Sequence, residues 1–268
     1  MLEVADSLIK IDKCNLLAGI VILAGGASKR MGSPKAELIL PTGERLLDYH
    51  VRKALELSAA IISNLPIMIA DNGRGFSINP DLIKNSPSPV FHITDYLSAN
   101  DLSNKILSSN DDKPIETGGA LVAIEAALQS LKSLVSSNQL TKDASWQQSW
   151  LMVISCDSLI PVTDLWQKLQ PYMTKNPDKT VICLTDDSHL YPLLGLYRLS
   201  IEPDLKDYID DGQRQVMKFI KPIVQPVPFA KNWQYLTNFN TPKDFEHAYL
   251  ALNDLQTKRL IKRFIERN

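Results

Sequence analysis

Uninterrupted apolar runs alternate along the chain with segments whose apolar positions recur every three or four residues. Leu16–Ala24 reads LLAGIVILA and is closed by Gly25-Gly26. A continuous apolar run bounded by glycine predicts a strand covered on both faces, as in a parallel sheet. Helical spacing follows over Leu46–Ala59, with Leu46, Leu47, Val51, Ala54, Leu55 and Ser58 on one side. Pro66–Ala70 (PIMIA) and Val90–Thr94 predict short strands, and Gly119–Leu134 predicts a helix with Leu121, Ile124, Leu128 and Leu131 on one face. Leu151–Ser155 (LMVIS) is a further buried strand, followed by a short helix over Val162–Leu169 capped by Thr163. Thr180–Leu184 and Leu193–Tyr197 predict strands, Ile201–Ile209 and Gln213–Phe219 helices, and Ile223–Val227 a proline-flanked edge strand. Thr241-Pro242 opens a last helix, with proline at a tolerated first-turn position. The alternation predicts an α/β protein with a mainly parallel sheet and helices on both faces.

Two polar stretches break the rhythm, near 73–116 and 133–149, and read as surface insertions. The expected organisation is a single domain over 17–268 behind an N-terminal extension of residues 1–16. Composition then narrows the class. Hydrophobic residues make up 44% and charged residues 22% of 268, and a chain of this size buries about 70–75% of its unfolded surface without needing disulfides. Twenty-nine Lys and Arg against thirty Asp and Glu leave a net charge of -1. That balance argues against a nucleic-acid-binding protein, while leaving room for a local basic pocket. Cys14, Cys156 and Cys183 are odd in number and widely spaced, which fits buried thiols in a reducing compartment. Glu3, Asp6, Lys10, Asp12 and Lys13 do not make a secretory leader, and the longest uncharged run, Cys14–Ser28, is too short to span a bilayer. The expected location is cytoplasmic, away from membranes.

The chemistry concentrates in Leu23–Leu38, LAGGASKRMGSPKAEL, directly after the first strand. In open α/β sheets ligands bind at the carboxyl ends of strands. Gly25 and Gly26 let the backbone turn and bring N–H groups to a phosphate. Ser28 adds a hydrogen-bonding hydroxyl, and Arg30 and Lys35 add two cations suited to a triphosphate. The loop is neither a Walker A sequence, lacking Gly-Lys-Ser/Thr, nor a dinucleotide fingerprint, lacking Gly-x-Gly-x-x-Gly. A bland glycine turn with solvated cations is the competing explanation. His50, His92, His189 and His247 make no metal spacing and no pair with a nucleophile.

Leu-Ala-Gly-Gly-x-Ser-x-Arg-Met-Gly-x-x-Lys resembles the signature loop of the molybdenum cofactor guanylyltransferases and their nucleotidyltransferase relatives. Cys156-Asp157 at a strand end resembles that family's metal-binding aspartate, and Tyr191-Pro192 resembles the start of its His-Pro strand. Gly212-Gln213-Arg214-Gln215-Val216-Met217 and Asn238-Phe239-Asn240-Thr241-Pro242-Lys243-Asp244 resemble two further family segments, in family order. There are departures: Ala120 and Ala123 replace a proline and a glycine before the central helix, Leu159 replaces a proline, and Ala70 stands where a polar base-contacting residue is common.

The resemblance implies a three-layer, Rossmann-like nucleotidyltransferase fold with a mainly parallel mixed sheet, and transfer of GMP from GTP to the terminal phosphate of molybdopterin, releasing pyrophosphate, with Mg²⁺ as cofactor. It implies Arg30, Lys35 and Asp157 as catalytic residues, with Asp157 on the metal. The nucleotide site comprises Leu23, Ala24, Gly25, Gly26, Ser28, Arg30, Lys35, Asp71 and Asp95, and the acceptor site Arg214, Asn238 and Asn240. Expected partners are GTP, the molybdopterin or molybdenum cofactor, and other cofactor-biosynthesis or molybdoenzyme proteins. Plainer roles stand beside these. Asp157 could cap the following helix, and Asp95 could lie in a surface turn. Arg214 could be a solvated helix residue, and Asn240 could cap the last helix while Asn238 faces the metal. Within the enzyme class the rival is a cytidylyl or sugar-phosphate nucleotidyltransferase. Outside it, the rival is a catalytically weak nucleotide- or pterin-binding protein of the same fold, serving as a cofactor carrier.

Overall fold

The structure, a computed structural model, describes residues 17–26, 28, 30–61, 64–98, 118–137, 146–186 and 188–267. Residues 1–16, the later part of the first expected insertion (from 99 onward) and the middle of the second (138–145) lie outside the described residues. In chain order the strands are β1 (Leu17–Leu23), β2 (Ile67–Ala70), β3 (Val90–Ile93), β4 (Trp150–Ser155), β5 (Val181–Thr185), β6 (Leu190–Arg198) and β7 (Val224–Pro228). The helices are α1 (Leu46–Ala60), α2 (Pro80–Ile83), α3 (Ala120–Ser137), α4 (Val162–Leu169), α5 (Glu202–Asp210), α6 (Val216–Ile220) and α7 (Pro242–Arg267).

Among the described residues the strands form one sheet in the order β3-β2-β1-β4-β6-β5-β7. The β1–β2, β2–β3, β1–β4 and β5–β7 pairs are parallel, and β6 runs antiparallel to both of its neighbours. The expected α/β class, three layers and mainly parallel mixed sheet are thus borne out. The apolar run of β1 is buried because it lies near the middle of the sheet. Ile20 and Ile22 pack with Leu47, Val51, Leu165 and Phe239 on one face. Val21 packs on the other face with Leu121, Ile124 and Leu128 of α3 and Leu205 of α5. That division, two residues one way and the intervening residue the other, is the period-two geometry of a strand sandwiched by helices.

Four details differ from the sequence reading. Thr163 does not cap α4; the cap position is Pro161, with no side-chain hydrogen bond to the first turn. The second polar stretch is not all insertion, since residues 133–137 continue α3. Its far border, Trp150, is the first residue of β4 and is buried, with the Arg198 guanidinium carbon 4.7 Å from its ring centroid. β6 is longer than expected and runs against both of its neighbours; Gly195 permits the close pairing, because a Cβ there would sit 2.6 Å from the Ile182 carbonyl oxygen.

Register decides where the loops go. Leu23 pairs with both Ala70 and Ser155, and Ala70 pairs with Ile93. The parallel strands β3, β2, β1 and β4 therefore end level, and the segments leaving them meet along one edge. The chain runs outward from β1 to β2 and β3, then crosses to β4 on the other side. The edge at β1/β4 is thus a topological switch point, the place where doubly wound sheets open a ligand crevice.

Candidate active site

A cleft of about 510 Å³ opens along that edge. At one end it is lined by Gly25, Gly26, Ser28, Arg30 and Lys35 from the loop after β1, and by Asp157 just past β4. At the other end lie Ala70 and Asn72 past β2, Asp95 past β3, and Gly119, Ala120 and Ala123 at the start of α3. Leu23, Ala24, Ser155, Cys156, Leu193 and Asn240 complete the lining.

The glycines act differently. A Cβ on Gly25 would meet Asn72 Cβ at 2.9 Å and the Asn72 nitrogen at 3.2 Å, so its hydrogen lets the loop after β2 press against the loop after β1. A Cβ on Gly26 would meet nothing within 4 Å, which leaves that backbone open for an anion to approach. Gly25→Ala is accordingly expected to destabilise the fold by about 1–3 kcal/mol through overpacking. Gly26→Ala should leave the unfolding midpoint nearly where it was. Chemical denaturation of the two variants side by side measures the contrast.

Ser28 adopts a positive φ of 47° and its hydroxyl oxygen accepts a 3.1 Å hydrogen bond from the Lys35 backbone N–H. The hydroxyl therefore closes the loop on itself and delivers Lys35 into the cleft. Lys35 Nζ donates to Asn240 Oδ1 at 3.1 Å, stands 3.8 Å from Asp157 Oδ2, and lies 5.6 Å from the Phe239 ring centroid. Burial holds the Lys35 ammonium below its ordinary pKa, and the Asp157 charge opposes that drop. Arg30 lies on the exposed rim of the same pocket. The result is a cationic end with one fixed ammonium and one solvated guanidinium, next to a carboxylate.

Asp157 sits in the turn after β4 and makes no cap of α4, whose start is Pro161. Its side chain is 29% exposed and faces the cleft. The capping role is therefore not what the structure uses it for. Among the described residues no three His, Cys, Asp or Glu side chains cluster as a complete metal cage.

Asp95 lines the far end, half-buried, and burial first and the Asp71 charge second push its carboxyl above the usual carboxylate range. Asp71, expected beside it, does not line the cleft. It is 1% exposed, and its Oδ2 accepts from the Phe76 N–H at 2.9 Å and lies 3.0 Å from His92 Nδ1. Asn72, half-buried, lines the cleft instead, at φ 61°. Sequence reasoning passed over it, although Asn-Gly directly after a strand is the signal for such a left-handed turn.

The acceptor residues also separate. Asn240 lines the cleft, whereas Asn238, at φ 55°, turns its carbonyl to the Asn240 side-chain amide at 3.0 Å and stays outside. The last helix is capped by neither. The Thr241 hydroxyl accepts from the Asp244 N–H at 3.2 Å, and the Asp244 carboxylate accepts from the Thr241 N–H at 3.0 Å, a reciprocal capping box. That frees Asn240 for Lys35. Arg214 is not a cleft residue; its guanidinium donates to the Ile209 carbonyl at 2.6 Å and the Gln213 carbonyl at 2.9 Å, closing the end of α5.

Cys156 lines the cleft as a buried thiol pushed above its ordinary range by burial, so it is no nucleophile. Among the histidines, His50 is fully inside α1 with its pKa lowered to about 4 by burial, and none reaches the cationic end. No helix among the described residues is long and apolar enough to cross a membrane.

Comparison with known proteins finds relatives in sequence and in fold. Residues 20–78 match the sequence model of the MobA-like NTP transferase domain. The chain is 26% identical over 237 residues to a probable molybdenum cofactor guanylyltransferase of Synechococcus elongatus, covering 86% of this chain and 97% of that protein. It is 27% identical over 231 residues to the molybdenum cofactor guanylyltransferase of Yersinia pestis, covering 84% and 91%. Among solved structures it resembles the molybdopterin-guanine dinucleotide biosynthesis protein A of Archaeoglobus fulgidus, with a TM-score of 0.54 and 16% identity over 88% of this chain and 99% of that one. The resemblance carried by the loop and its companion segments is borne out, and the nucleotidyltransferase-like α/β fold with it.

Proposed function

We propose, from this kinship with MobA-like NTP transferases and from the cleft, that the chain transfers GMP from GTP to the terminal phosphate of molybdopterin. An oxygen of the acceptor phosphate attacks the α-phosphorus, a new P–O–P link forms, and the bond to the β-phosphate oxygen breaks to release pyrophosphate. The observation that carries the reading is Lys35, its ammonium held between Asn240 Oδ1 and Asp157 Oδ2 beside the open backbone of Gly26. A phosphate nucleophile is already ionised near neutral pH, so the site must supply position and charge neutralisation, not a strong base. The absence of histidine among the residues lining the cationic end suits that demand.

Each residue then has a task. The backbone around Gly25 and Gly26 approaches the phosphates, and Lys35 and Arg30 neutralise them. Asp157 suits Mg²⁺, which typically takes one or two protein carboxylates and fills its remaining positions with water and substrate phosphate oxygens. Mg²⁺ held there would supply charge stabilisation at the phosphates. Asn240 keeps Lys35 aimed between the phosphates and that carboxylate. At the far end Asp95 would accept from guanine N1–H and its exocyclic amine.

Pyrophosphate release should be fastest with GTP, by at least about 10²-fold in kcat/KM over CTP and ATP. A buried acceptor left unpaired by the wrong base is what enforces such a ratio. The assay uses each nucleotide separately with molybdopterin as acceptor. A preference for CTP would replace the guanylyl assignment with the cytidylyl one. Nucleotide binding with no pyrophosphate from any donor would select the cofactor-carrier alternative.

A further inference from the structure

We propose that Asp71 and His92 form a positioning pair that sets nucleobase discrimination without touching the base. The inference rests on the nucleotidyl-transfer reading of the cleft. With the triphosphate at the cationic end, the nucleoside must extend toward Asn72, Asp95 and the start of α3. The two walls of that end leave different strands, Asn72 from β2 and Asp95 from β3. The ladder between β2 and β3 ends at the Ala70–Ile93 pair, so past that point the spacing of the two walls needs a side-chain link.

Asp71 Oδ2 is that link. It accepts the Phe76 N–H at 2.9 Å, five residues along its own chain, and it meets His92 Nδ1 of β3 at 3.0 Å. The first contact cinches residues 71–76 into a closed loop. Within it Asn72, Gly73 and Gly75 all have positive φ, between 61° and 69°. Asn72 is one of the few non-glycine residue types that tolerate that conformation, so the sequence itself favours the turn that the cinch closes. The loop is pinned at two more places: Arg74 Nη1 donates to the Gly26 carbonyl at 3.0 Å, and Gly25 packs directly on Asn72. The second contact ties this loop to β3, three residues before Asp95. A buried carboxylate is costly to leave unsatisfied, so the pair has a strong preference for one geometry.

Three variants and three probes test the pair. His92→Phe and Asp71→Asn weaken the link. His92→Asn keeps an amide donor close to the position of Nδ1. The probes are GTP, CTP and inorganic triphosphate, each titrated by calorimetry. The last engages the cationic end alone. His92→Phe and Asp71→Asn should weaken GTP by about tenfold and shrink its advantage over CTP, with inorganic triphosphate unchanged within about twofold. His92→Asn should restore most of the GTP affinity. Unchanged GTP affinity in His92→Phe and Asp71→Asn overturns the pair's role. So does a parallel loss of all three ligands, which marks a general loosening of the cleft. A wild-type chain that binds none of the nucleotides overturns the nucleotidyl-transfer reading and this inference with it, and is recognised before any variant is made.

Discussion

Lys35→Ala should lower kcat/KM by about 10²- to 10³-fold, the equivalent of roughly 2–4 kcal/mol of transition-state stabilisation. The ammonium is the most constrained charge in the cleft: its backbone is held by Ser28, its side chain by Asn240, and its charge by Asp157. Little conformational freedom then remains to be lost when phosphate arrives, and preorganised charge of this kind is worth most in a water-poor site. The fold should tolerate the change, with the melting temperature within a few degrees, because the polar partners of the ammonium, Asn240 and Asp157, line the cleft and belong to neither apolar layer. Steady-state kinetics on the folded variant decide it. Turnover at the wild-type level would remove Lys35 from the phosphate site.

Asp157→Asn should be harsher, lowering Mg²⁺-dependent turnover by about 10³-fold or more. Asparagine matches aspartate in shape and caps helices about as well, so a capping residue would not register the exchange, and the structure gives Asp157 no cap to make. The change also removes the charge that opposes the burial-driven drop in Lys35's pKa. The variant's Lys35 should therefore give up its proton at lower pH than the wild type's. Binding of inorganic triphosphate, followed across the alkaline range, should fall off at lower pH in the variant. Full turnover in Asp157→Asn, together with an unmoved alkaline limb, would mean that this carboxylate serves neither the metal nor the lysine.

What could be read from the sequence was what neighbouring residues decide among themselves. LLAGIVILA had to be covered on both sides, and its described part, β1, is. The glycine loop, Ser28, Arg30 and Lys35 lie within a dozen residues, so their shared pocket follows from one turn. Residues whose partners are distant were read less well. Asp71 looked like a second base-facing carboxylate because its neighbour across the strands, His92, is invisible in a linear reading. Arg214 looked available for an acceptor, but the carbonyls at the end of α5 claim its guanidinium. Asn238 and Asn240 are both asparagines in one short motif. Which one enters the cleft was settled by Thr241 and Asp244, which cap the helix between themselves. The reversal of β6 has no apolar signature at all, since a strand buried on both faces reads the same in either direction.

The contact between Lys35 and Asn240 joins residues 205 positions apart, and that span orders events during synthesis. Synthesis runs from the amino end while a domain folds as a unit, so the residues of β1 and its glycine loop are made long before the lysine's partner. β5 must also wait, because β6, which is made after it, is the strand that lies between it and β4 and joins the two. A nascent chain halted before Asn240 would carry the phosphate loop with its lysine untethered. The nucleotide site therefore matures only after Asn240 has been made and β6 has joined β5 to the rest of the sheet.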